Sequence, residues 1–220
     1  RNMSGSTIWG RVNSRSDIAP GIVWFDTPSH GGYRLSVARA GEMPAALRAV
    51  GEESRGFVWF EEDCAWGAVW LAFPLACMRA HDAEDWREHA AAKKSSSAVM
   101  DEARESMRNW NPDAFEAFYG VEIPAGESFV KRRRLFETTH AEDYVAVAAW
   151  GDWARGVPTG MVGVVATLGG KRERGGNERW FLVAAERYDS RDTFGYVIDT
   201  ENDGMIPAGL ITGESRPAAA

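Results

Sequence analysis

The hydrophobic pattern changes period twice along the chain, and that change bounds the folds it can adopt. Short runs of branched and aromatic residues fill the first third, a segment with helical spacing follows, and alternating runs return towards the end. Strands, then helices, then strands predict an α+β fold with a mostly antiparallel sheet. Thr7-Ile8-Trp9-Gly10-Arg11-Val12 reads as a first strand, and Gly21-Ile22-Val23-Trp24-Phe25-Asp26 as a stronger one. Thr27-Pro28-Ser29-His30-Gly31-Gly32 supplies turn residues, and Tyr33-Arg34-Leu35-Ser36-Val37 alternates again. The pair therefore reads as a hairpin with His30 at its tip. Gly56-Phe57-Val58-Trp59-Phe60 is a further strand. Glu61-Glu62-Asp63 then precedes the apolar run 64–73, which predicts a buried helix with acids at its positive end and a kink or stop at Pro74.

Residues 82–109 carry Trp86, Ala90, Ser97, Met100 and Met107 at helical spacing, with the serines at 95–97 splitting the run. Asn111-Pro112-Asp113 is a cap with Pro at the first helical position, so a helix is expected to reach Tyr119 and stop at Gly120. Gly126-Glu127-Ser128 opens another. Residues 144–150, 161–168 and 179–184 then read as strands, with a polar Gly-rich hairpin loop at 169–177 and a last strand at 194–198. The whole is read as one α+β domain over 3–212: strand-rich at 6–73, helical at 82–137, strand-rich at 143–199. Residues 213–220 are read as a disordered tail.

Charge narrows the function classes. The 220 residues carry a formal net charge of −7, which disfavours direct nucleic-acid binding. No apolar run approaches a membrane span. The two cysteines, Cys64 and Cys77, make no disulfide framework. Both lie among apolar residues and are expected to be buried free thiols of a cytoplasmic protein. No phosphate-binding loop, dinucleotide fingerprint or nucleophile elbow is present, so no cofactor is expected. His81 and His89 stand two helical turns apart, about 12 Å, too far for one ion, and no metal centre is expected.

The sharpest candidate site is the hairpin tip. His30 can act as a general base near neutral pH, Ser29 offers a hydroxyl, and the amides of Gly31 and Gly32 could face an anion. The plain alternative is a tight turn. Glu61, Glu62 and Asp63 are candidate acids, and a pairing of His30 with one of them would make an acid–base site. Three consecutive acids on a helix cannot all face it, because neighbours lie about 100° apart. Lys131, Arg132, Arg133 and Arg134 form the one concentrated basic run, read as a solvated face or a protein contact. Of ten tryptophans, most fall in core-like runs, while Trp110 and Trp153 sit near element ends as candidate binding residues.

The stretches Phe25-Asp26-Thr27-Pro28-Ser29-His30-Gly31-Gly32 and Trp59-Phe60-Glu61-Glu62-Asp63-Cys64-Ala65-Trp66 together resemble a domain of unknown function. It is found in proteobacterial, plasmid and phage proteins. Trp180-Phe181-Leu182-Val183 and Phe194-Gly195-Tyr196-Val197-Ile198-Asp199 are similar to the C-terminal part of such proteins. The resemblance implies a mobile-element setting and carries no activity. Three readings stay open. The first is a non-enzymatic protein-binding factor, a counter-defence inhibitor whose acidic surface engages a host or phage protein. The second is a small hydrolase- or transferase-like enzyme using His30 with Ser29 or a carboxylate. The third is a structural or assembly subunit, for which a homodimer would be the simplest form.

Overall fold

The computed structural model describes residues 6–83, 94–172 and 177–215. It is an α+β fold with mostly antiparallel sheets, as the period changes predict. The chain packs as two compact units, Arg1–Arg132 and Arg133–Ala220, where the sequence reading takes one domain.

The first unit is built on a five-stranded antiparallel sheet. Its strands are β3 (Ser14–Ala19), β4 (Ile22–Asp26), β5 (Gly31–Ser36), β7 (Phe57–Glu61) and β6 (Glu52–Ser54), in that spatial order. The first predicted strand is instead a small hairpin of β1 (Ser6–Thr7) and β2 (Gly10–Arg11), because Gly10, at φ 126°, turns the chain back. Short helices α1 (Val37–Gly41) and α2 (Ala45–Arg48) connect β5 to β6. After β7 come α3 (Trp66–Ala72), α4 (Pro74–Asp82), α5 (Ser96–Trp110) and α6 (Pro112–Tyr119). Pro74 does not kink a helix; it opens α4, where its missing N–H costs nothing. Ser95 caps α5 through Ala98 N, and Gly120 ends α6 in the left-handed region at φ 66°. Residues 84–93, with Trp86, His89 and Ala90, lie outside the described residues.

Alternation along the strands gives this sheet two faces. Ile22, Trp24, Tyr33, Leu35, Val58 and Phe60 point inward and join Ala68, Val69 and Trp70 of α3 with Val99, Met100, Ala103 and Met107 of α5 in the main core. Trp70 Nε1 donates to Tyr33 Oη at 2.9 Å, so two large buried rings also satisfy each other's polar atoms. A Cβ at Gly67 would stand 2.7 Å from Ala103 O, which is why α3 can lie so close to α5.

A 3₁₀ turn at Ala125–Glu127 leads into α7 (Phe129–Thr139), where the division between the units falls. In the second unit β8 (Tyr144–Trp150), β10 (Met161–Leu168), β11 (Arg179–Ala184) and β12 (Gly204–Ile206) form an antiparallel sheet in the order β12-β11-β10-β8. Helix α8 (Ala185–Asp189) follows β11, and β9 (Ala154–Arg155) pairs with β13 (Thr212–Ser215). Residues 213–215, read as tail, are thus strand residues. The expected strand at 194–198 is reduced to bridges at Gly195 and Val197, while Tyr196 and Ile198 still fill the core beside Val164, Phe181 and Val183. Buried Asp203 ties this end together. It accepts from Tyr196 Oη at 2.9 Å and pairs with Arg187 at 3.0 Å.

Candidate functional site

The β4–β5 hairpin places His30 as the sequence predicts. Thr27 closes the turn: its N–H donates to His30 O at 2.8 Å, and its hydroxyl donates to the same carbonyl and accepts from His30 N. His30 is exposed at the end of the turn.

The acids do not open a helix. Glu61 is the last residue of β7, and α3 begins only at Trp66, so the relevant period is 2 and not 3.6. This period sorts the three acids. Gly32 pairs with Glu61 across the ladder. His30, Gly32, Glu61 and Asp63 therefore fall on the outer side of the sheet, while Glu62 falls on the inner side. A Cβ at Gly31 would meet Glu62 Oε2 at 2.5 Å, next to Trp24. One donor atom each from His30, Glu61 and Asp63 lies within 4.8 Å of the others.

Glu61 is held firmly. Its Oε2 accepts from Cys64 N at 3.1 Å and Cys64 Sγ at 3.4 Å. Burial pushes its pKa up, but hydrogen bonds from the Asp63 and Cys64 amides outweigh that and leave it below the ordinary value. Asp63 moves the other way. Its side-chain hydrogen bond to Glu61 and the Glu61 charge raise it, with His30 opposing. The two carboxyl groups thus titrate as a pair, with Asp63 the easier of the two to protonate. Cys64 is exposed, contrary to its expected burial, because the chain turns sharply between β7 and α3. Partial burial and its bond to Glu61 push the thiol up to about 11, which keeps it a donor and not a nucleophile. Cys77 is buried as expected.

Other predicted residues are placed elsewhere. Ser29 is exposed in the turn. Gly31 and Gly32 are buried strand residues, so their amides face neighbouring strands and present no bare anion cradle. They serve close packing: a Cβ on Gly32 would lie 2.3 Å from Phe60 O and 2.5 Å from the Trp9 ring. Lys131 is drawn into a clamp, donating to Glu116 and, at 2.7 Å, to Ile123 O. Arg133 pairs with Glu137, and Arg132 and Arg134 are exposed. Trp110 is exposed beside Phe129, with ring centroids 4.9 Å apart, and Trp153 is exposed in the second unit.

Three protein donors, one imidazole nitrogen and two carboxylate oxygens, match the count that open catalytic metal sites use, and the mixed set suits zinc or manganese. The sequence reading sets a metal aside on the spacing of His81 and His89 and the lack of a zinc motif, although it allows that paired carboxylates such as those at 61–63 can bind a hard cation. The signal it passed over is the alternation Phe57, Trp59, Glu61, which sets Glu61 on the sheet face opposite Gly32.

The model of a family described as a domain of unknown function (DUF7007) matches residues 2–141, and the chain belongs to that family. The match holds His30, Glu61 and Asp63 and ends before β8, so the resembling stretches around Trp180 and Phe194 lie beyond it. No curated protein and no solved structure matches this chain. No helix among the described residues is long and apolar enough to cross a membrane.

Proposed function

We propose that the protein is a small hydrolase- or transferase-like enzyme whose acid–base centre is His30 with Glu61 and Asp63. The observation that carries this reading is the convergence of three functional side chains from two strand ends within 4.8 Å. In this reading His30 takes a proton from a water or a substrate hydroxyl as it attacks. Asp63, whose pKa is raised beside Glu61, serves as the acid that protonates the leaving group. Glu61 stays ionised and fixes both partners. Alternatively, the same three donors hold a divalent cation that lowers the pKa of a bound water.

The test is a panel of chromogenic phosphomonoester, phosphodiester, acyl-ester and peptide substrates, with and without added Zn²⁺ or Mn²⁺. Turnover of one class is expected, falling about 100-fold or more in His30→Ala and Glu61→Gln. Glu62→Gln, on the other side of the sheet, is expected to leave it unchanged. No turnover of any class, or equal turnover in all variants, overturns the reading.

A non-enzymatic protein-binding factor is the second reading. It is favoured by Trp110, Tyr119 and Val121, which stand 41%, 40% and 49% exposed along the end of α5 and α6. A counter-defence role in phages or plasmids has the family-like motifs and the charge of −7 as its support. The two free thiols support a reducing, cytoplasmic setting for either reading.

A further inference from the structure

The outer face of the five-stranded sheet carries a second feature, at the end away from His30. Arg34 lies in the middle of β5, opposite Val23 on β4 and Trp59 on β7. A cation in the centre of a sheet needs compensation. Here it is aromatic: the guanidinium carbon lies 4.2 Å from the Phe57 ring centroid, 4.9 Å from that of Phe25 and 5.9 Å from that of Trp59. Arg34 makes no hydrogen bond or ion pair with any described residue. Burial, then the nearby charge of Arg15, pull its pKa below the ordinary arginine value, with Asp17 opposing. Its donors are therefore oriented, partly desolvated and unused.

They face an open cavity of about 450 Å³ lined by Arg15, Asp17, Pro20, Arg34, Ser36 and Phe57, among others. Arg15 donates to Asp17 through two nitrogens, so the acid in the cavity is already engaged by one of the two arginines. Ser36 Oγ accepts from Arg39 N at 3.2 Å, which leaves its O–H free to donate. The cavity thus offers a planar cationic fork, a second arginine, a hydroxyl donor and an apolar wall of Phe57, Val23 and Pro20. A stacked guanidinium suits bidentate recognition of an oxyanion better than an ammonium would. The volume leaves room for an organic group beside the anion.

We propose that this cavity binds an organic phosphate monoester, with Arg34 as the main contact to the phosphate oxygens and Arg15 and Ser36 flanking it. The site is independent of the reading given to His30. Phe25, Phe57 and Trp59 surround the Arg34 guanidinium, and none of the residues lining the cavity belongs to the cluster of His30, Glu61 and Asp63.

Isothermal titration of the full chain with inorganic phosphate, phenyl phosphate and benzoate tests it, at constant ionic strength. Phenyl phosphate is expected to bind most tightly, and inorganic phosphate more weakly for want of the apolar wall. Arg34→Met is expected to weaken phenyl phosphate at least tenfold and Arg34→Lys several-fold, with Glu62→Gln unchanged. Arg15→Gln and Ser36→Ala, each expected to weaken binding several-fold, give the same reading should Arg34→Met not fold. Absence of saturable binding, or binding that survives in folded Arg34→Met or in the Arg15→Gln, Ser36→Ala double variant, overturns the proposal. Benzoate binding as tight as phenyl phosphate overturns its assignment to phosphate.

Discussion

The two faces of the five-stranded sheet are written by alternate residues of the same strands, yet they do opposite things. The inner face, Ile22, Trp24, Tyr33, Leu35, Val58 and Phe60, is apolar and closed by α3 and α5. The outer face also has buried apolar residues, Val23, Phe25 and Trp59, covered by Ile8, Trp9 and Val12. It ends, however, in charge on both sides: Arg15 and Arg34 at one end, His30, Glu61 and Asp63 at the other. The inner face spends its positions on stability. The outer face gives several of its positions to groups that gain nothing from burial, and that is where chemistry is to be sought.

The largest expected effect separates the faces directly. Trp70→Ala removes a ring at 1% exposure from the inner core and the indole N–H that donates to the Tyr33 hydroxyl. A loss of about 3–5 kcal/mol is expected in a urea titration. On the outer face Arg34→Met keeps the stem packed on Phe57 and loses mainly the cation–ring attraction, so its stability is expected to change by less than about 1 kcal/mol. A cost above about 3 kcal/mol for Arg34→Met would make the outer arginine a structural residue and erase the contrast.

A glycine at the boundary of the comparison comes next. Gly32→Ala would drive a Cβ to 2.3 Å from Phe60 O and 2.5 Å from the Trp9 ring. Backbone on one side leaves only Trp9 to move. About 1–3 kcal/mol of destabilisation is expected, together with a change in the tryptophan near-UV dichroism as Trp9 shifts from Trp59. Gly56→Ala, with open space around its Cβ, is the control, carrying only the strain of its φ of 76°.

Much of this was legible in the sequence, and the exceptions have physical causes. Strands β8, β10 and β11 have runs of Val, Ala, Phe and Trp long enough to mark their own ends. The hairpin with His30 at its turn was marked by Pro and Gly. Strand β3, Ser-Arg-Ser-Asp-Ile-Ala, was not seen, because an edge strand with a solvated face carries no apolar alternation. Without β3 the cavity between Arg15 and Arg34 could not be assembled, since those residues meet only across β4. The acids read as helical in the sequence because an apolar helix follows them closely. Glu61 instead ends β7, and the turn that follows, closed by Ala65 N donating to Glu61 O at 3.1 Å, brings Asp63 back beside Glu61; nothing local announces where strand yields to turn.

The smallest effect tests the acid end of the outer face. Asp63 has its pKa raised by Glu61, so its ionised form is disfavoured in the fold. The stability tied to its proton is present below its unfolded pKa, about 3.9, and is lost as pH rises through the raised folded value. Glu61, with its pKa lowered, contributes stability above its own unfolded pKa, and that contribution is lost as pH falls through the lowered value. Asp63→Asn removes the first term, keeps a donor for Glu61 and leaves the second intact. The variant is therefore expected to be slightly more stable than the parent at pH 7 and equal to it near pH 3, where Asp63 is protonated in both states. Thermal midpoints across that range read the difference. If Asp63 serves proton transfer, the same variant loses turnover while gaining stability, the exchange expected where a side chain is kept for chemistry and not for the fold. A variant less stable at pH 7 would instead place Asp63 among the residues that hold the β7–α3 turn together, and the outer face would then differ from the inner one in polarity alone.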